Sequence, residues 1–171
     1  PREARRGRHG EVYVAEDTKL GRQVALKVLP PEMATGERLM RFEREAKAVA
    51  ALDHPNIVHI YSVEEVEGVH FYTMQLVRGN TLTELIPKRG LPLKTFFEVS
   101  IPLADAVSTA HQKGIIHRDL KPDNLMVNEE GRLKILDFGL AKLKQEFAQE
   151  GASELPTQSA TQEGRILGTV A

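Results

Sequence analysis

Apolar and polar residues alternate in two early stretches of the chain, residues 11–16 and 23–29, which flank a polar turn. Alternation of this length is typical of strands with one buried face, so the two stretches predict an antiparallel hairpin. Between residues 37 and 52 the apolar positions recur every three or four residues, which predicts an amphipathic helix. Residues 57–63 and 69–77 are rich in β-branched and aromatic side chains and predict a second hairpin.

The second half of the chain has a mainly helical pattern. Residues 81–86 predict a short helix and residues 94–113 a longer one. A kink is expected at Pro102, because proline removes a backbone donor and clashes with the preceding turn. Residues 125–127 and 133–136 predict two short strands around a turn that contains glycine.

Composition narrows the class of protein. The 171 residues include 23 Lys and Arg against 24 Asp and Glu, and 41% are hydrophobic, which excludes a strongly basic nucleic-acid binder and a disordered chain. The chain has no cysteine, so disulfides, thiolate metal sites and cysteine nucleophiles are excluded, and a reducing, cytoplasmic location is expected. No apolar run reaches the ~18 residues of a membrane span, and no signal peptide is recognisable.

Two short segments carry the candidate chemistry: residues 117–124 read HRDLKPDN, and residues 137–139 read DFG. A match to eight specified residues arises by chance about once in 10^10 start positions at average amino-acid usage, so coincidence is a poor explanation. The predicted strands between the segments form a hairpin whose open end brings them together. A base, a cation and oxygen ligands for a metal in one small volume indicate a phosphoryl-transfer site.

These segments resemble the catalytic loop and the metal-binding loop of the protein kinase family. The resemblance covers residues 7–171, and the sequences GEVY at 10–13 and LKVLP at 26–30 are most similar to the bacterial, eukaryotic-type serine/threonine protein kinases. It implies an α+β fold with two lobes. Residues 1–77 would form an antiparallel β N-lobe with one regulatory helix, incomplete at its start. Residues 78–171 would form the first part of a mainly helical C-lobe, with the catalytic loop and the activation segment.

The resemblance also implies the reaction and its cofactors, ATP with Mg²⁺ or, as an alternative, Mn²⁺. Asp119 would orient the acceptor hydroxyl and take its proton, and Lys121 would neutralise the γ-phosphate. Asn124 and Asp137 would supply oxygen ligands to the metal. A lysine two residues after the aspartate resembles the kinases that act on Ser and Thr hydroxyls of proteins, whereas tyrosine kinases have other residues there.

Nucleotide binding is implied for the first lobe. Lys27, in the sequence VALK, matches the strand lysine that bridges the α- and β-phosphates, and Glu45 on the predicted helix matches its ion-pair partner. Glu43 is the competing candidate for that partner. By resemblance, His117 and Phe138 are packing residues that join the lobes. The residues implied around the adenine ring are Val12, Ala25, Met74, Gln75, Val77 and Met126.

A partial glycine-rich loop precedes these residues. Gly7 and Gly10 match its end, where residues without a Cβ let backbone N–H groups approach the phosphates. Arg5 stands where the family has its first glycine. Residues 1–6 show none of the alternation expected of the strand that leads into the loop.

Arg118 suggests regulation, because in the family such an arginine is neutralised by a phosphorylated residue in the following loop. Residues 143–165 are polar without a sustained period and predict that loop. Thr161 is the predicted phosphorylation site, and Thr169 matches the threonine that contacts Asp119 and docks hydroxyl substrates. Self-association for autophosphorylation is implied beside protein substrates, and no nucleic-acid or membrane contact is expected of this segment.

Two other classes of protein are weighed against an active kinase. An inactive fragment or pseudokinase, acting as a nucleotide-binding or scaffold module, would be expected to have a damaged Lys27, Asp119 or Asp137, and all three are present. Only Arg5 supports that alternative. A module that only binds other proteins would not require this combination of Lys27, Asp119 and Asp137. The family continues past the last residue of this chain, so the longer helix is expected to expose apolar residues.

Overall fold

The computed structural model of the chain describes residues 2–7, 10–31, 34 and 36–138. Its first part is an antiparallel sheet of five strands in the order β1-β2-β3-β5-β4. The strands are β1 Arg2–Gly7, β2 Gly10–Asp17, β3 Arg22–Val28, β4 Ile60–Val66 and β5 Val69–Gln75. The two predicted hairpins are therefore confirmed, as β2 with β3 and β4 with β5.

The strand β1 forms in a segment whose sequence lacks the alternation typical of a strand. Arg2 pairs with Val14 and Gly7 pairs with Gly10, so β1 adds to the edge of the sheet along β2. The pairing of an edge strand is made by backbone N–H and C=O groups, which require no particular side-chain pattern. A segment without alternation can therefore still form a strand when a partner strand follows it after a short turn.

The predicted amphipathic helix is confirmed as α1, Gly36–Ala50, between β3 and β4. Its buried residues, Phe42, Ala46 and Val49, lie on one face, as their spacing requires. Phe42 and Ala46 join a core with Ala25 and Met74 of the sheet. The helix is thereby packed against the strands that carry the candidate nucleotide-binding residues.

The second part contains a small sheet and two helices. Its elements are β6 Gly79–Thr81, α2 Leu82–Leu85, α3 Leu93–Gln112, a 3-10 helix Pro122–Asn124, β7 Leu125–Asn128 and β8 Leu133–Ile135. A capping box formed by Thr81 and Glu84 starts α2. The helix α3 continues through Pro102. Among the residues that the structure describes, no helix is both long and apolar enough to cross a bilayer.

The expected exposure of the longer helix is confirmed. Leu93 is 70% exposed and Ile101 is 64% exposed, and Phe96 and Phe97 are also on the surface. The opposite face of α3 is buried through Ala106 and Ala110, which pack in a second core with β7 and β8.

The two parts of the chain are joined through the segment between α1 and β4. Ile57 forms a parallel bridge with Ile135 of β8. The backbone N–H of Ile135 donates to Asn56 O at 2.7 Å, and the N–H of Val58 donates to Ile135 O at 3.1 Å. Because β8 leads directly into Asp137, this bridge fixes the position of that residue beneath the first sheet.

Gly79 begins β6 at the junction of the two parts, and we predict that replacing it is costly. A Cβ at this position would lie 2.1 Å from the backbone oxygen of Val127, because β6 and β7 are paired there. Relieving such a contact requires backbone movement, so Gly79→Ala is expected to destabilise the protein by about 3 kcal/mol in chemical unfolding.

Gly90→Ala is the matched control for this substitution. Gly90 has a φ of +82°, but a Cβ there meets open space. Only the left-handed backbone strain then opposes the new side chain, at a cost of about 1 kcal/mol. Equal losses in the two variants would contradict the close approach between β6 and β7.

Candidate active site

Residues 117–124 form a loop that is held by its own side chains. Asn124 Nδ2 donates to Asp119 O at 2.7 Å and to Asp119 Oδ2 at 3.0 Å. Lys121 Nζ is 2.9 Å from the same Oδ2. Two donors on one carboxylate oxygen restrict the rotation of the Asp119 side chain. Three of the predicted site residues are therefore brought together within one loop.

The hairpin of β7 and β8 brings Asp137 to this loop, as the sequence predicts. Leu125 pairs with Ile135, so the residues before β7 and after β8 are neighbours. The N–H of Leu136 donates to the backbone oxygen of Asn124 at 2.9 Å. A separation of thirteen residues in sequence thus becomes adjacent backbone.

His117 has a structural role in this arrangement. Its Nε2 lies 2.8 Å from the backbone oxygen of Leu136, and its Nδ1 accepts from the backbone N–H of Asp119 at 3.3 Å. Burial lowers the pKa of His117, which favours the neutral ring that this pair of contacts requires. The ring meets Phe138 edge to face with centroids 4.7 Å apart. The predicted packing of His117 with Phe138 is confirmed.

The carboxylate of Asp137 is held by two residues of the first sheet. Lys27 Nζ contacts Asp137 Oδ2 in an ion pair, and the Tyr72 hydroxyl donates to Oδ1 at 3.0 Å. Lys27 is 7% exposed and Tyr72 is 2% exposed, so both groups are withdrawn from water. Lys27 therefore lies at the candidate site, as predicted, while the contact from Tyr72 was not anticipated from the sequence.

The predicted ion pair between Lys27 and Glu45 is not the arrangement found. Lys27 pairs with Asp137, and Glu45 Oε1 instead lies 3.8 Å from an Arg118 guanidinium nitrogen. The helix α1 does place Glu45 toward the catalytic loop, between the buried residues Phe42 and Val49. Which cation a carboxylate meets depends on the position of the whole helix, and a helical period does not specify that position.

Four of the six residues predicted to surround adenine pack in one core. Ala25 and Met74 are directly opposite on β3 and β5 and belong to one core, against which Val12 and Val77 pack. Met126, on β7, is half-buried. Gln75 follows Met74, and its side-chain oxygen accepts from Lys134 Nζ at 3.1 Å. Burial lowers the pKa of Lys134, which sits opposite Met126 on β8.

Gly7 and Gly10 are paired at the turn between β1 and β2, at the edge of the sheet that carries Val12. Thr161 and Thr169 lie outside the described residues, as does the predicted loop 143–165.

The donor set at the open end of the hairpin fits a magnesium ion. The amide nitrogen of Asn124 donates to Asp119, so the amide oxygen is not engaged in these two hydrogen bonds and can serve as a metal ligand. Asp137 contributes a carboxylate. Within the described residues no cluster of three or more His, Cys, Asp or Glu side chains is arranged for a metal. Mg²⁺ is commonly held by one or two protein oxygens together with waters and substrate phosphates, so a sparse oxygen set suits it.

Comparisons with known proteins agree with this geometry. Residues 5–161 match the model of the protein kinase domain. The chain is 37% identical over 166 residues to the serine/threonine-protein kinase PrkC of Bacillus subtilis. This match covers 96% of the chain and 24% of PrkC. The chain is 43% identical over 173 residues to a probable serine/threonine-protein kinase, PknB, of Lactococcus lactis, covering 99% and 26%.

The fold has a solved counterpart. The crystal structure of the PknI kinase domain of Mycobacterium tuberculosis superimposes with a TM-score of 0.73 at 33% identity, over 82% of this chain and 57% of that one. The chain thus spans about a quarter of the length of the two curated relatives. From the family match, the identities and the shared fold together, the chain belongs to the protein kinase family.

Proposed function

We propose that this domain transfers the γ-phosphate of ATP to Ser and Thr hydroxyls of proteins. The observation that carries the proposal is the convergence of Asp119, Asn124 and Asp137, with Lys121 bonded to Asp119 and Lys27 bonded to Asp137. The names of the relatives point to the same residue class of substrate. Because the chain spans only part of those relatives, the activity is proposed for the intact protein that contains it.

The reaction needs a base and an arrangement of charge rather than covalent catalysis. The oxygen of the acceptor hydroxyl forms a bond to the γ-phosphorus, and the bond from that phosphorus to the bridging oxygen breaks. The electron pair leaves with ADP, and the hydroxyl proton passes to the carboxylate of Asp119. Lys121, beside Asp119, neutralises charge on the phosphoryl group in flight.

The remaining residues hold the nucleotide. Lys27 would contact the α- and β-phosphates of ATP in place of Asp137, and Asn124 and Asp137 are the residues that would hold a divalent cation. A bound Mg²⁺ would supply charge neutralisation between the phosphates. Met74, Ala25, Val12 and Val77 provide an apolar slot for the adenine ring next to the backbone of Gln75.

Labelled phosphate transfer tests the proposal. The intact protein is incubated with γ-labelled ATP, Mg²⁺ and casein, and the labelled residues are identified after acid hydrolysis. Label on phosphoserine and phosphothreonine is expected. Label on phosphotyrosine alone, or none under conditions in which the protein is folded, would refute the assigned substrate class or the assigned activity.

A scaffold that binds nucleotide is the second candidate, favoured by the contact of Lys27 with Asp137 instead of Glu45. Mg·ATP would raise the unfolding temperature of such a protein, but the protein would transfer no phosphate. A plain interaction module would show neither effect. The thermal shift and the transfer assay together separate the three classes of protein.

The ion pair between Glu45 and Arg118 supports a proposal for regulation. Its atoms are 3.8 Å apart, and the two side chains are 24% and 36% exposed, so the pair is weak. A cavity of about 120 Å³ lined by both residues lies beside it, which leaves room for the side chains to move. A phosphate on the following loop would compete for Arg118 and release Glu45 toward Lys27.

This regulation predicts a gain of activity on autophosphorylation. Preincubation of the intact protein with Mg·ATP is expected to raise the initial rate on casein about tenfold, a typical size for coupling between sites. Thr161→Ala should remove that gain. Thr157→Ala, on the same loop, should retain it. If one copy phosphorylates another, the rate of activation rises with protein concentration. A gain of activity that persists in Thr161→Ala would exclude Thr161 as the phosphorylation site.

A further inference from the structure

Tyr72 is a polar residue in an otherwise apolar core. Its ring packs on Phe42 of α1 with centroids 5.7 Å apart, and its core neighbours include Ala46, Val58 and Met74. A phenylalanine would fill the same space, so packing alone does not account for the hydroxyl. A buried tyrosine hydroxyl usually has a specific partner, and here the partner is Asp137 Oδ1 at 3.0 Å.

The register of the sheet explains how Tyr72 reaches this carboxylate. Tyr72 on β5 lies directly opposite Lys27 on β3. Residues directly opposite in an antiparallel pair project from the same face, with Cβ atoms about 5 Å apart. Tyr72 and Lys27 therefore approach Asp137 side by side, and each contacts a different carboxylate oxygen.

The backbone at Asp137 needs such support. Asp137 has a φ of +54°, in the left-handed region that non-glycine residues seldom adopt. Strained conformations of this kind persist when surrounding contacts hold them. The hydrogen bond from the Tyr72 hydroxyl to Oδ1, at 3.0 Å, is one of the contacts that hold this residue.

We propose that Tyr72 is a positioning residue for Asp137: its hydroxyl holds Oδ1, and so keeps the carboxylate oriented to receive the divalent cation that accompanies ATP. The inference rests on the proposed function, in which Asp137 is a metal ligand. In the proposed function Lys27 turns to the phosphates of ATP, whereas the Tyr72 hydroxyl has Asp137 Oδ1 as its partner and keeps that contact. Outer partners that orient a metal ligand commonly change metal affinity by about 10- to 100-fold when removed.

Tyr72→Phe removes the hydroxyl and keeps the ring. Mn²⁺ binding to the intact protein is measured by electron paramagnetic resonance in the presence of a non-hydrolysable ATP analogue. The Kd for Mn²⁺ is expected to rise about tenfold. Tyr61→Phe is the matched control, because Tyr61 lies on the neighbouring strand under the guanidinium of Arg22 and away from Asp137. Its Kd should equal that of the wild type.

A second readout separates positioning from packing. Unfolding temperatures of the two variants are measured without metal and nucleotide. The proposal is supported if the Kd for Mn²⁺ rises in Tyr72→Phe, and rises by more than it does in Tyr61→Phe. An unchanged or lower Kd, with or without a lower unfolding temperature, overturns it. If the wild type binds Mn²⁺ with the analogue but transfers no phosphate, the proposed function fails while the Kd ratio still decides the role of Tyr72. Absence of Mn²⁺ binding in the wild type overturns both.

Discussion

Asp119→Asn is expected to lower kcat for phosphate transfer by about 10²- to 10⁴-fold, the range for removal of a positioned general base. The amide cannot accept the proton of the acceptor hydroxyl at neutral pH. Its shape is unchanged, so Asn124 and Lys121 can keep their positions around residue 119. The KM for ATP should change little, because the proposed nucleotide contacts come from Lys27 and the first sheet.

Asp123→Asn is the matched control on the same loop. Asp123 Oδ1 accepts from the Thr83 hydroxyl at 2.7 Å, at an exposed position away from Asp119. An activity close to that of the wild type is expected. Steady-state kinetics on casein with purified intact protein measure both variants, and Asp119→Asn with a kcat near that of the wild type would remove Asp119 from the role of base.

The catalytic loop and the metal-binding residue could be predicted from sequence because their geometry is local. A short hairpin with one turn separates Asn124 from Asp137, and its two apolar runs around a polar turn with Gly131 are visible in the sequence. The helix α1 was predictable for the same reason, since the spacing of Phe42, Ala46 and Val49 identifies its buried face. For the helix, a period within one element determines the result, whereas the roles of the loop and of Asp137 follow from the resemblance of residues 117–124 and 137–139 to the kinase family.

The contacts that the sequence did not reveal all depend on how separate elements meet. The pairing of Tyr72 with Lys27 requires the register between β3 and β5, which are more than forty residues apart. The partner of Glu45 requires the position of α1 relative to the catalytic loop. One signal for Tyr72 was present, namely a phenolic hydroxyl on a predicted strand two residues before Met74, but a pattern of burial does not identify its acceptor.

Asp137→Asn is expected to lose both activity and stability, which distinguishes it from Asp119→Asn. In the wild type Lys27 contacts Oδ2 and the Tyr72 hydroxyl donates to Oδ1. An amide offers one oxygen and one NH₂ group, so its oxygen can accept from Lys27 while its NH₂ donates to the Tyr72 hydroxyl oxygen, and the Tyr72 proton then loses Asp137 as its acceptor. Lys27 is also left in the core without the charge of Asp137. Breaking a buried ion pair from one side costs about 3 kcal/mol or more.

Chemical unfolding of the intact protein measures this cost. Asp119→Asn should stay within about 1 kcal/mol of the wild type, because the pair of Asp119 with Lys121 is partly exposed. Lys27→Met in the Asp137→Asn background should recover part of the lost stability, because it removes the buried ammonium group that has lost its carboxylate partner. A coupling free energy of about 1–3 kcal/mol is expected in the double-mutant cycle. Equal stability of the two asparagine variants would mean that Lys27 has another counter-charge in the intact protein, with Glu45 as the residue to test next.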